Sequence, residues 1–315
     1  MRRLLAVPLL LALLAGACGA DDGGASRGTG SGEVAVVASF YPLAEAARRV
    51  GGDVVQVANL TPAGAEPHDL ELTPDQVDAL EDADLVLYLG AGFQPAVEEV
   101  AERRRDGAVD VLEAVELEEG DAHAEEEGGE HANEDEHGHE GNDPHFWLDP
   151  VRMVAAVELV EEALAEVAPE HAGAFAENAR AYTAELRALD EDFEAALATC
   201  ARRTIVTSHA AFHYLVERYD LEQLAISGLS PESEPDPRRL AELADLIARE
   251  GVTTVFYETL VSPDVAQTLA REAKVQTAVL NPLEGLTDDD VDDGKDYAAV
   301  MRDNLSALTA ALECP

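Results

Sequence analysis

Basic residues are scarce in this chain: 21 Lys and Arg stand against 65 Asp and Glu, a formal charge of -44 over 315 residues. That balance excludes nucleic acid, whose binding draws on Lys and Arg set against phosphate, and it disfavours adsorption to anionic lipid. Cations are the partners it invites. Much of the acidity belongs to an Ala- and Glu-rich surface that it keeps soluble, so charge alone selects no function. Long apolar runs are also lacking. Residues 4–14 form an apolar run, but it falls short of the roughly 20 residues that a permanent membrane span needs. Cysteine occurs three times and tryptophan once, at Trp147. None of this means a shortage of core, because hydrophobic residues make up 47% of a chain long enough for two domains.

The apolar run follows Arg2 and Arg3 and ends in Leu14-Ala-Gly-Ala-Cys18, which reads as an export signal. A Cys directly after small residues resembles the lipobox of bacterial lipoproteins. Residues 1–17 are then a signal peptide and Cys18 a lipidated N-terminus that holds the protein to the membrane. The plainer alternative is an ordinary secretory signal with an incidental Cys. Residues 18–32, rich in Gly, Ser, Asp and Ala, read as a flexible tether. With Cys18 set aside, Cys200 and Cys314 remain, and in an exported protein such a pair is a candidate disulfide.

From residue 33 the chain alternates apolar runs of strand length with amphipathic helical stretches. Strands are expected at 33–39, 54–60, 85–89 and 109–112, with helices at 42–50, near 76–81, and at 95–105. This is βαβα alternation around a buried parallel sheet. The Gly-Ala-Gly at 90–92 lacks the spacing and the Lys of a phosphate loop and reads as a turn. Past Pro150 the pattern turns helical to 167. Pro169 then opens a stretch to about 199, with Phe175, Ala179, Tyr182, Leu186, Leu189, Phe193 and Leu197 at spacings of three and four. At 1.5 Å per residue one helix of that length spans roughly 45 Å, enough to join two lobes; the alternative is a pair of helices broken near Asp190. Strands at 204–207, 221–226, 253–257 and 275–280 then repeat the α/β pattern, with helices at 238–249, 263–273 and 295–312. The expected architecture is α/β. A first lobe (33–150) and a second (200–315), each a mainly parallel sheet flanked by helices, are joined by linking helices (151–199).

Histidine is concentrated where the chain is stiff or acidic. His145 sits in Asn142-Asp-Pro-His-Phe-Trp-Leu-Asp-Pro150, between two prolines that disfavour helix on either side. His68, in Gly64-Ala-Glu-Pro-His-Asp69, follows the second strand. His209, in Thr207-Ser-His-Ala-Ala-Phe212, follows the first strand of the second lobe, and Leu280-Asn-Pro-Leu-Glu284-Gly-Leu286 follows its last strand. The carboxyl ends of strands are where open α/β sheets hold ligands. The tract at 118–142 carries His123, His131, His137 and His139 among Glu, Asp and Gly with no Lys or Arg. Imidazoles together with carboxylates point to a divalent metal. The composition of the tract predicts disorder without metal and weak binding with it.

Taken together, these five segments resemble the metal-binding solute-binding lipoproteins of bacterial ABC importers, in particular their zinc-uptake branch, over nearly the whole chain. The resemblance makes His68, His145 and His209 the imidazole ligands and Glu284 the carboxylate that completes the shell. Three neutral nitrogens and one carboxylate oxygen suit Zn²⁺ rather than Mn²⁺, in a closed site that stores rather than reacts. Some zinc-uptake relatives carry Glu directly before the first His; here Pro67 stands there, which weakens Glu66 as a ligand. The resemblance also implies a membrane permease as partner, a monomer, and a capturing role for the His-rich tract, whose plain alternative is a solvated insert. His213, four residues after His209, reads as a helix-face histidine, His171 as exposed, and Glu258 as a supporting or structural carboxylate. Competing functions are a manganese or iron importer subunit, an adhesin, and a zinc-dependent hydrolase. The last needs an open coordination position that Glu284 would fill.

Overall fold

The apolar run that opens the folded region forms β1 (Val34–Ala38), and Pro42 sits in the first turn of α1 (Tyr41–Gly51), where its missing N–H costs nothing. β2 (Val55–Asn59) and α2 (Pro74–Asp82) follow; Thr73 and Gln76 close a capping box at the start of α2. β3 (Leu85–Tyr88), α3 (Pro95–Ala101) and β4 (Ala108–Asp110) complete the first lobe. α3 ends four residues before the expected 105, because Arg104 turns back to donate to the carbonyls of Leu80, Glu81 and Ala83 at the end of α2. This computed structural model describes residues 33–115, 143–231, 233, 235 and 237–315. The signal segment, the tether with Cys18, and His123, His131, His137 and His139 lie outside the described residues.

Asp149 caps α4 (Pro150–Val167) by accepting from Val151 and Arg152. The expected long helix is present as a 3₁₀ turn, Pro169–His171, followed by α5 (Ala172–Leu197), 26 residues that run unbroken past Asp190. The buried Asp190 survives inside the helix because Arg218 grips both its oxygens, at 2.8 and 2.7 Å, and the Tyr219 hydroxyl donates at 3.1 Å. The second lobe runs β5 (Thr204–Thr207), α6 (His213–Arg218), β6 (Glu222–Ala225), α7 (Pro237–Glu250), β7 (Thr254–Tyr257), α8 (Asp264–Ala273), β8 (Gln276–Val279), α9 (Asp288–Asp292) and α10 (Tyr297–Ala311). A disulfide joins Cys200, just past α5, to Cys314, just past α10.

Each lobe is built on a four-stranded sheet with every pairing parallel, in the order β2-β1-β3-β4 and β6-β5-β7-β8. The two sheets therefore share one topology. In both, the strand order reverses beside the first strand, which places a ligand crevice at the carboxyl ends. α5 packs along α4 and against α1 and α10. The largest core runs without a break from Val36, Phe40 and Leu87 through Phe146, Trp147, Tyr182 and Phe193 to Phe212, Leu283 and Tyr297. Smaller clusters cover the outer face of each sheet. No described helix is long and apolar enough to cross a membrane.

Candidate metal centre

Every side chain of the centre hangs from a loop at a strand's carboxyl end or from the punctuated segment between the lobes. His68 lies in the loop after β2, which turns at Gly64 with φ +76. There the Gly64 N–H donates to the Leu286 carbonyl at 2.8 Å, joining the first lobe to the second. His145 ends the Asp143-Pro-His turn, in which the Asp143 carboxylate accepts both the His145 backbone N–H, at 2.9 Å, and its Nδ1, at 2.6 Å. His209 follows β5 and is held in the same way by Glu258 from beyond β7, with 3.2 Å from the backbone N–H and 2.7 Å from Nδ1. Glu284 follows β8. Each carboxylate on an Nδ1 fixes the tautomer that leaves Nε2 free to ligate and raises its basicity.

The three Nε2 atoms converge on one oxygen. Glu284 Oε1 lies 3.4 Å from His68, 3.2 Å from His145 and 3.2 Å from His209. The four donor groups all fall within 4.8 Å of one another. A tetrahedral ion with bonds near 2.0 Å needs edges of about 3.3 Å, so the three edges to Glu284 already have the required length. Nε2 of His68 and of His145 are buried without a hydrogen-bond partner, and at 3.4 Å the His68 contact is electrostatic rather than a formed hydrogen bond. Orphaned buried nitrogens are costly, and a shared cation relieves both at once. Phe93 packs its ring against His68 at 4.6 Å, and Trp147 lies 5.1 Å from His145, so the inner wall of the site is apolar. Only His68 meets solvent, with 12% of its side chain exposed, whereas His145 and His209 are at 0% and Glu284 at 1%.

Charge in the cluster is tightly linked. Burial pushes the Glu284 carboxyl up, yet the imidazoles of His209, His145 and His68 hold it well below the usual carboxylate range. Burial opposes a proton on His209, but Glu258 and Glu284 together raise its pKa well above the ordinary imidazole value. For His145 burial is likewise outweighed, by Asp143 and then Glu284, and its pKa is raised. Among the described residues only Glu284 acts on His68 as a carboxylate, and burial outweighs it and lowers the His68 pKa. The carboxylates thus favour a proton on His145 and His209, and a divalent cation competes for the same place.

The structure brings His68, His145, His209 and Glu284 together. His213 opens α6, His171 closes the 3₁₀ turn before α5, and neither belongs to the cluster. Glu66 stays outside it as well. Its carboxyl is pushed up to about 7 by burial and then by the Glu284 charge. Sequence reasoning assigned no role to Asp143 or Phe93. The Asp two residues before His145 carried the signal of a side chain bonding its own turn, whereas nothing local marks Phe93.

The family model described as zinc-uptake complex component A, periplasmic, matches residues 36–311. The zinc-binding lipoprotein AdcA of Streptococcus pneumoniae serotype 4 (strain ATCC BAA-334 / TIGR4) is 37% identical over 287 residues, 88% of this chain and 55% of that protein. The chain therefore spans about half the length of such relatives. The high-affinity zinc uptake system protein ZnuA of Bacillus subtilis (strain 168) is 34% identical over 303 residues, 95% of this chain and 94% of that one. Among solved structures, the Zn(II)-bound ZnuA-like domain of S. pneumoniae AdcA superposes with a TM-score of 0.75 at 34% identity, covering 90% of this chain and 100% of that domain.

Proposed function

The chain belongs to the zinc-uptake complex component A family, and from that membership and the four-donor cluster we propose that it captures Zn²⁺ outside the cytoplasm and delivers it to an ABC permease. The ligands in this reading are Nε2 of His68, His145 and His209 and a carboxylate oxygen of Glu284. The observation that carries it is the convergence of three imidazole nitrogens on Glu284 Oε1 at 3.2–3.4 Å, with two of those nitrogens buried and unpartnered. A shell of three nitrogens and one oxygen meets the tetrahedral demand of Zn²⁺. It offers Mn²⁺ too few hard oxygen ligands for six-fold coordination. With all four positions taken by protein, no place remains for the activated water of a zinc hydrolase, so the site binds and releases without catalysis.

Supporting the cellular setting, the pneumococcal relative is named a lipoprotein, and this chain carries an export signal ending at Cys18. We take Cys18 as the lipid anchor, the protein as a monomer, and the acidic tract with His123, His131, His137 and His139 as an auxiliary metal-capturing segment. Residues 33–150 and 200–315 serve as the two lobes. Metal analysis of the purified mature protein, followed by competition between Zn²⁺ and Mn²⁺ at neutral pH, tests the reading. One equivalent of Zn²⁺ resistant to equimolar Mn²⁺ is expected; displacement of Zn²⁺ by Mn²⁺ would make a manganese importer subunit the better assignment.

A further inference from the structure

Glu284 is presented by a turn that its own sequence would not hold. Leu283 adopts φ 57, in the left-handed region that a branched L-residue occupies only under constraint. The other non-glycine positions with positive φ among the described residues, Ala91, Asp220, Lys274 and Glu313, are exposed; Leu283 is 0% exposed and directly precedes the carboxylate. Hydrogen bonds hold each residue that leads up to Glu284. Asn304 Oδ1 accepts from the Asn281 N–H at 2.8 Å, and Asn304 Nδ2 donates to the Asn281 carbonyl at 2.7 Å. The Asn281 side chain accepts from the Leu283 N–H at 2.8 Å, and the Trp147 indole donates to the Pro282 carbonyl at 2.7 Å.

Asn304 stands inside α10, where Asn is a poor helix former, and it is only 2% exposed. Both of its hydrogen bonds go to Asn281, so its burial is compensated by the turn and by no bond within its own helix. α10 is itself firmly mounted. The Cys200–Cys314 disulfide ties its end to the end of α5, and the Thr253 hydroxyl donates to the Ala311 carbonyl at 2.9 Å. We propose that Asn304 is a positioning residue for zinc binding: it transmits the fixed position of α10 through Asn281 to the strained Leu283 and so aims the Glu284 carboxylate at the three imidazoles. This rests on Glu284 being a ligand, the reading given above.

The test compares zinc affinity, by competition with a chromophoric chelator, among the wild type, Glu284→Gln, Asn304→Leu and the double variant. The visible absorption of each Co²⁺-loaded protein is recorded alongside. Asn304→Leu should weaken zinc about 10- to 100-fold, the range for removal of a partner that orients a ligand. The double variant should bind no more weakly than Glu284→Gln alone, and the Co²⁺ spectrum of Asn304→Leu should take the Glu284→Gln form. A general loss of stability would not produce that spectrum. Asn304→Asp, which keeps the acceptor but loses the donor, should fall between. If Asn304→Leu does not fold, Asn304→Asp and Asn281→Ala carry the same spectral comparison. Wild-type affinity and spectrum in the Asn304 variants, or multiplicative losses in the double variant, would overturn the positioning role. Wild-type affinity in Glu284→Gln would instead remove Glu284 as a ligand and with it the reading on which the role rests.

Discussion

Zinc binding at pH 8 should expel more protons than three ordinary imidazoles would release. His209 is the reason. Its Nδ1 lies 2.7 Å from Glu258 and its Nε2 3.2 Å from Glu284, and these two carboxylates outweigh burial and raise its pKa well above the ordinary value. Three unperturbed imidazoles, with pKa near 6.5, would together carry only about 0.1 proton at pH 8. The raised His209 pKa instead holds its proton to higher pH than an ordinary imidazole would, and zinc must displace that proton to reach Nε2. Over the range in which His209 is charged in the metal-free protein, each unit of falling pH should weaken zinc about tenfold, or about 1.4 kcal/mol per proton. Stability follows with a definite sign. A raised folded-state pKa contributes stability that is fully present below the ordinary imidazole value and is lost as pH rises through the raised one. The metal-free protein should therefore lose melting temperature as pH climbs above about 6.5 through the raised His209 value. Glu284, held low, contributes stability that is fully present above the ordinary carboxylate value and is lost as pH falls through the depressed one. Calorimetric titration of zinc at pH 8 in two buffers of different ionisation enthalpy counts the protons. A count near 0.1 from the pair of buffers would show His209 no more protonated than an ordinary imidazole in the free site and refute the reasoning.

Replacing His68, His145 or His209 by Ala should lower zinc affinity by orders of magnitude, as each loses a metal–nitrogen bond; His171→Ala, outside the cluster, should titrate like the wild type. Asp143→Asn and Glu258→Gln should each weaken zinc about 10- to 100-fold while circular dichroism stays unchanged, because they orient Nδ1 without touching metal. Deleting residues 119–141 should leave one tight site and abolish only weaker equivalents; loss of the tight site in the titration would show that the tract supplies a primary ligand.

The strands and the histidine loops were legible in advance because their signals are local. Apolar runs such as Val34–Ala38 and Thr204–Thr207 announce buried parallel strands, and Pro67, Pro144 and Pro150 stiffen the segments around His68 and His145. α9, of 5 residues, went unread, and of α6, of 6 residues, only His213 was read as lying on a helix face, since a turn or two is too short for the 3.6-residue period to show. The partners that orient the site were harder still. Glu258 reads as a supporting carboxylate, but nothing local pairs it with His209 across 49 positions, and nothing marks Asn304, which meets Asn281 across 23. Asp190 marked only the alternative of a broken pair of helices; Arg218 and Tyr219, from beyond the helix, hold its carboxylate and let the single long helix that the spacing favours continue.

How zinc leaves follows from what binds the lobes. Their cores are continuous through Trp147, Tyr182 and Tyr297, and close-packed interiors switch between discrete arrangements rather than stretching. Wide opening would expose that apolar seam and break the bonds from Trp147 to Pro282 and from Tyr297 to the Trp147 carbonyl, which tie the His145 and Glu284 segments together. His145, His209 and Glu284 therefore form a fixed inner wall. His68 differs: of the four donors it is the one that meets solvent, at 12% of its side chain, and its loop reaches the second lobe through the Gly64–Leu286 bond. Withdrawing the His68 loop by a small tilt breaks the Gly64–Leu286 backbone hydrogen bond and takes one donor nitrogen out of the cluster. On the ligand assignment proposed above, it turns a closed four-ligand site into an open three-ligand one, the weakening at the exposed side that delivery to the proposed permease calls for.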